Sequence, residues 1–255
     1  MIRPQAAADE HLVAEGVRAL PGGFALLDAS RTLLCADAHF GYEDVMGGAL
    51  PLWSTMEIAA AIALVAQRHR VREIVFLGDL LHGATMSDGA ARTIRGALET
   101  LAGIAPLTFV AGNHEGRTRG RSILGETVES CERDGWHLIH GDKPSLPGTR
   151  TIIGHLHPSV HLGGDASVPA FLGARALVVV PALTPYSPGL DVLSDDCIGA
   201  LAPYNVLRSD LHVVAATSER VYPFGTLSRI RQALRTPSHV RKNGYRRKYL
   251  RGDGS

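Results

Sequence analysis

The sequence predicts an α/β protein, and three observations carry that prediction. Apolar runs of strand length alternate with helical stretches, most clearly between residues 24 and 115. The chain has 255 residues, 45% hydrophobic and 20% charged, which suits one globular domain with a substantial core. The polar clusters fall where apolar strands run out, and in open α/β folds ligand sites lie beyond the carboxyl ends of the strands.

Element by element, FALLD at 24–28 and TLLCAD at 32–37 suit a hairpin across Ala29-Ser30-Arg31. A helix is expected from about Ser54 to Arg70, with Ser54 as N-cap and Glu57 three residues later. The strand EIVFLGD at 73–79, a helix from about Ser87 to Ala102 and the strand LTFVAGNHE at 107–115 continue the β-α-β rhythm. A short helix near 125–133 and strands at 136–142, 151–157, 176–182 and 211–217 follow. The Gly-rich stretch 162–174 reads as a loop, as does part of 181–203. Beyond Pro237 the chain has little apolar content, so it divides into a domain over 1–236 and a disordered basic tail over 237–255.

The charge is uneven. Of 26 basic and 25 acidic side chains, nine and one fall within residues 226–255, which leaves 17 against 24, or −7, for residues 1–225. Tyr245 and Tyr249 are interleaved with the basic residues of the tail, a composition suited to phosphate contact and base stacking, or equally to a solvated appendage. No apolar stretch reaches the roughly 18 residues of a membrane-spanning helix, and the first residues lack a secretory pattern, so a cytoplasmic location is expected. Cys35, Cys131 and Cys197 are odd in number and far apart, which argues against a disulfide framework or a thiolate metal site.

Five clusters hold the chemistry: Asp37-Ala38-His39, Gly78-Asp79 with His82, Gly112-Asn113-His114-Glu115, His140-Gly141-Asp142, and Gly154-His155-Leu156-His157. Carboxylate, carboxamide and imidazole suit Mn²⁺, Fe or Zn²⁺ without thiolate. In Asp-x-His and His-x-His, residues two apart on an extended strand face the same side, so both can face one metal. The glycine before a ligand lets the backbone turn and come close to an ion or phosphate. His11, His69, His161, His212 and His239 lie outside these clusters and read as structural or surface residues.

In this order, the clusters resemble the calcineurin-like metallophosphoesterase superfamily over residues 32–160. The strings DAHFGYEDVM, GDLLH, VVVPAL and VYPFG are similar to the ICC-like phosphoesterases, which include ligase-associated DNA damage response endonucleases. The resemblance implies a β-sandwich flanked by helices, in four α-β-β-α layers. It also implies two divalent metals, Mn²⁺ foremost and Fe or Zn²⁺ as alternatives. Asp37, His39 and His157 would hold the first, Asn113, His140 and His155 the second, with Asp79 bridging. His114 would be the general acid, Glu115 would orient it, and His82 would lie near the substrate phosphate. The implied reaction is hydrolysis of phosphodiesters, with DNA or RNA as substrate, by a hydroxide bridging the two metals. A small-nucleotide phosphodiesterase or phosphomonoesterase is the alternative enzyme, and a weakly active module that recruits nucleic acid through the tail is the alternative of another class.

Overall fold

The computed structural model describes residues 8–47, 51–83, 85–114, 119–144, 148–163 and 166–235. Among them, one sheet takes β1 (His11–Ala14), β2 (Val17–Ala19), β3 (Ala25–Leu27), β4 (Thr32–Cys35), β5 (Glu73–Leu77) and β6 (Leu107–Val110) in chain order. The second contains β7 (Cys131–Arg133), β8 (Trp136–Leu138), β9 (Thr151–Ile153), β10 (Pro158–Gly163), β11 (Ala166–Gly173), β12 (Leu177–Val179), β13 (Leu190–Asp191), β14 (His212–Ala216) and β15 (Val221–Thr226). Its order is β13-β10-β11-β12-β9-β8-β7, with β14 on β11 and β15 on β14. The helices are α1 (Tyr42–Val45), α2 (Trp53–Arg68), α3 (Asp88–Ala102), α4 (Arg119–Leu124), α5 (Asp195–Leu201) and α6 (Leu227–Arg235).

Alternation along the strands produces the layering. On β4 and β5, Leu33, Cys35, Ile74 and Phe76 point outward and pack with Ile62 of α2 and Ile94 of α3. Leu34, Val75 and Leu77 point inward and meet Trp136, Ile152 and Phe171 of the second sheet. On the far side Ile153, Leu172 and Val213 pack with Cys197 of α5 and Ile230 of α6. Each sheet is therefore apolar on both faces, and the four α-β-β-α layers expected from the sequence are the ones observed. The crossovers through α2 and α3 make β4, β5 and β6 parallel, so their carboxyl ends lie together.

At the other end of β5, Glu73 joins the two sheets. Its carboxylate accepts from Thr108 of β6 at 2.7 Å and from Arg133 of β7 at 2.6 and 2.7 Å. The Arg133 guanidinium, followed by burial and then by Thr108, is what acts on its acidity, and the balance holds the carboxyl below its ordinary range.

Three local expectations are corrected. Residues 166–173 are a strand, not a loop, paired with β10, β12 and β14. The glycine content has another cause there: a β-carbon at Gly173 would run into the carbonyl of Val13, so Gly173 marks a close backbone approach within a strand. The helix expected near 125–133 lies earlier, as α4, and 131–133 is β7. Asp134 and Gly135, at φ 52° and 74°, form the tight turn into β8, which Asp-Gly between two strands favours. Ser54 is inside α2 instead of capping it; its N–H donates to Glu43 Oε1 at 2.8 Å, so an acid from α1 serves the helix end.

Cys35 and Cys197 are buried, Cys131 is half-buried, and all three are free thiols. No described helix is long and apolar enough to cross a membrane. The tail over 237–255, with Tyr245 and Tyr249, lies outside the described residues.

Candidate active site

Beyond the ends of β4 and β5 the two segments stay side by side. His39 N–H donates to the Asp79 carbonyl at 3.0 Å and Phe40 N–H to the Leu80 carbonyl at 2.6 Å. Asn113 and His114 follow β6, and His140 follows β8. Asp37, His39, Asp79 and His140 are buried, while Asn113 and His114 are exposed, so the site has a polar floor and an open mouth.

The backbone carries an unusual conformation at five of the candidate ligands. Of the nine described non-glycine residues with positive φ, five are Asp37, His39, Asp79, His155 and His157, at φ between 44° and 61°. That region costs an L-residue on the order of 1 kcal/mol or more. Five together are appreciable against a domain stability of about 5–15 kcal/mol, so the surrounding hydrogen bonds have to hold them in place. The pairs Asp37/His39 and His155/His157 are therefore not extended; Asp37 and His39 nonetheless stay in one group, while His155 and His157 part. His157 joins Asp37 and His39, whereas His155 joins Asp79 and His140.

Glycines admit the candidate ligands to one another. A β-carbon at Gly112 would strike the backbone nitrogen and Oδ1 of Asp79, one at Gly78 would strike the His140 ring, and one at Gly154 would lie 2.6 Å from Asp37 Oδ2. The glycines before Asp79, Asn113 and His155 thus make room for a side chain from another strand.

Each carboxylate is tied at one oxygen. Asp37 Oδ2 accepts from His155 N–H and Asp79 Oδ1 from His114 N–H, both at 2.8 Å. The other oxygens face imidazoles. Asp37 Oδ1 lies 3.4 Å from His157 Nε2 and, though buried, has no hydrogen-bond partner. Asp79 Oδ2 lies 3.3 Å from His140 Nε2, which is also 2.9 Å from Asn113 Oδ1 and 3.1 Å from His155 Nδ1. His140 Nδ1 is 2.9 Å from the Leu77 carbonyl and 3.8 Å from Asp37 Oδ1, so Nδ1–H donates to Leu77. One proton on Nε2 can serve only one of three neighbours, while a divalent cation could draw in all of these donors. The groups Asp37-His39-His157 and Asp79-His140-His155 each bring their ligand atoms within 4.8 Å of one another and can hold a metal.

The electrostatics suit a cation. Burial pushes His39 down to about 4, against the pull of Asp37 and Asp79, so it is neutral and free to ligate at neutral pH. Burial also opposes charge on His140, but Asp79, Asp37 and the Leu77 carbonyl outweigh it and push the ring up to about 9. Burial works against ionisation of Asp79 too, yet His140 and the His114 N–H bring it down to about 2.

His114 and His82 complete a third group with His39. His114 Nδ1 lies 3.1 Å from the His82 carbonyl, and its Nε2 points inward, 3.9 Å from Asp79 Oδ2. A backbone carbonyl thus positions the ring; Glu115, expected in that role, lies outside the described residues. His82 Nδ1 is 3.3 Å from His39 Nδ1, and burial followed by the neighbouring His114 lowers the basicity of His82.

Sequence reasoning missed Ser187. Its hydroxyl lies 2.8 Å from His157 Nδ1 and so directs Nε2 toward Asp37. The Pro-rich context of Ser187 was the available signal, but it reads as loop. Beside it a cavity of about 160 Å³ is lined by His157, Ser159, Ser167, Thr184 and Ser187.

This architecture has a counterpart. The crystal structure of Pseudomonas putida nuclease MPE superimposes with a TM-score of 0.63 at 22% identity, covering 84% of this chain and 99% of that one. The chain has that nuclease's fold. Yfce, a phosphoesterase from E. coli, is 16% identical over 61% of this chain and 82% of its own, with a TM-score of 0.38. No family model matches the sequence, and no curated protein does.

Proposed function

We propose that the chain is a phosphodiesterase dependent on two divalent metals, Mn²⁺ foremost, acting on nucleic acid. The observation that carries it is the pair of buried carboxylates. Each is fixed at one oxygen by a backbone N–H and turns the other toward imidazole nitrogens, and that of Asp37 has no partner. Asp37, His39 and His157 would hold one ion, Asn113, His140 and His155 the other, and Asp79 both. When bound, such ions supply a water activated at neutral pH and neutralise the phosphate oxygens as charge builds.

The chain's own groups do the rest. His114, oriented through Nδ1 by the His82 carbonyl, protonates the departing oxygen from Nε2. His82, next to His39, faces the phosphate. Glu115 is proposed to steady His114 from outside the described residues. Nucleic acid as substrate is supported by the basic tail and by sharing a fold with a protein that is a nuclease.

The cavity beside His157 favours a second reading, a small-nucleotide phosphodiesterase, since it lies against a proposed metal ligand and is lined by Ser159, Ser167, Thr184 and Ser187, with room for part of a nucleotide. Purified protein with Mn²⁺ would be assayed on a chromogenic diester, a chromogenic monoester, and single- and double-stranded DNA and RNA, with Asp79→Asn as control. Polynucleotide cleavage that Asp79→Asn abolishes is expected, and diester activity without it would defeat the nuclease reading. Deleting residues 237–255 should weaken polynucleotide cleavage and spare the chromogen.

A further inference from the structure

A column of rings leads out of the site. His39 and His82 lie 5.1 Å apart between centroids, His82 and Tyr42 4.6 Å, and Tyr42 and Tyr186 4.1 Å with their planes within 15°. Tyr42 comes from α1, just beyond β4, and Tyr186 from the segment between β12 and β13, so the stack is built from both sheets.

Tyr186 is held in place before any ligand arrives. Its hydroxyl donates to Glu43 Oε1 at 3.2 Å, and the same oxygen accepts from Ser54 N–H. Glu43 is buried, and the contact draws Tyr186 to the start of α2, where Trp53 is 62% exposed. Although Tyr42 covers one ring face and Glu43 the hydroxyl, Tyr186 remains 43% exposed.

We propose that Tyr186 is the landing surface for an unpaired nucleobase next to the scissile phosphodiester, with Tyr42 and Glu43 as its positioning residues. The assignment rests on the phosphodiesterase reading above. Residues 1–225 carry a net charge of −7, so the body of the protein offers phosphates little general attraction. Stacking needs no charge and accepts any base, because every base has a π-face. A ring fixed by a neighbouring ring and a hydrogen bond loses little freedom when a base arrives, which favours binding. Inside a duplex both π-faces of a base are covered by its neighbours, so the site favours single-stranded or locally opened nucleic acid over the interior of a duplex.

The test compares cleavage of a dT 12-mer with that of a 12-mer of abasic tetrahydrofuran units, in Mn²⁺, by wild type, Tyr186→Leu and Tyr186→Phe. Wild type should favour the dT oligomer in kcat/KM by about tenfold. Tyr186→Leu, which keeps bulk without a π-face, should bring that ratio to within about twofold of unity, and Tyr186→Phe should retain most of it. An unchanged ratio in Tyr186→Leu, or no preference in wild type, would overturn the assignment and leave the nuclease reading standing. Wild type that cleaves a chromogenic diester but neither oligomer would defeat the nuclease reading, and this assignment with it.

Discussion

Gly112 lies against Asp79 so closely that a β-carbon at 112 would overlap both the backbone nitrogen and Oδ1 of Asp79. Gly112→Ala must therefore push Asp79 away from His140 and from the His114 N–H. A misplacement of this kind costs about 100-fold in rate, and steady-state turnover of a chromogenic diester in Mn²⁺ measures it. Gly96→Ala is the control: it lies in α3 with nothing within 4 Å of the new carbon, and it should leave the rate unchanged and raise stability slightly. Equal loss in both variants would contradict the packing argument.

Metal should bind the folded state and not the unfolded one. At Mn²⁺ about 100-fold above its Kd, stabilisation is about 2.7 kcal/mol, or a rise in Tm of about 5–10 °C. Asp79→Asn should abolish most of that rise, because Asp79 Oδ2 is the oxygen facing His140 Nε2 at 3.3 Å. Calorimetry with and without Mn²⁺ provides the check, and a wild-type Tm indifferent to Mn²⁺ would count against the site.

His114→Ala removes the proposed proton donor while leaving intact the two groups that can hold a metal. Its effect should depend on the leaving group: small for a nitrophenolate and about 100- to 10,000-fold for an alkoxide. Measuring rates across esters of graded leaving-group pKa gives the slope, and a uniform loss would reassign His114 to substrate binding.

Glu73 gives a pH dependence away from the site. Its folded carboxyl titrates below its unfolded value, with the Arg133 guanidinium as the leading cause, so it binds fewer protons folded than unfolded. Its contribution is then complete above about pH 4.5 and fades as pH falls through the folded value. Glu73→Gln should cost about 1–3 kcal/mol at pH 7 and progressively less in acid. Urea melts of both proteins from pH 7 to 3 follow the difference.

Much of the fold was legible because β4, β5 and their crossover helices are locally consistent. Leu33/Cys35 and Ile74/Phe76 alternate with Leu34 and Val75, and Ser87 caps α3 through Ala90 N–H. The strand over 166–173 was not, since Gly173 and Pro169 lower local strand propensity while long-range pairing with β10 and β14 decides the outcome. In the site, the residues brought together were legible as types at strand ends. Their grouping followed from the family resemblance alone: positive φ at His155 and His157 sends neighbours in sequence to different clusters, and no periodicity encodes that. Ser187 and Tyr186 escaped notice because they act through contacts with residues about 30 and 140 positions away.

The left-handed backbone at Asp37, His39, Asp79, His155 and His157 restricts which metals the site could be re-engineered to take. Asp, Asn and His tolerate that conformation better than other side chains do. Cys at these positions, introduced to favour a softer ion, would have to carry its thiolate on a backbone it resists, and Glu would add a methylene where glycines leave room for none. Conversion to a thiolate centre would therefore require rebuilding the turns as well as the ligands.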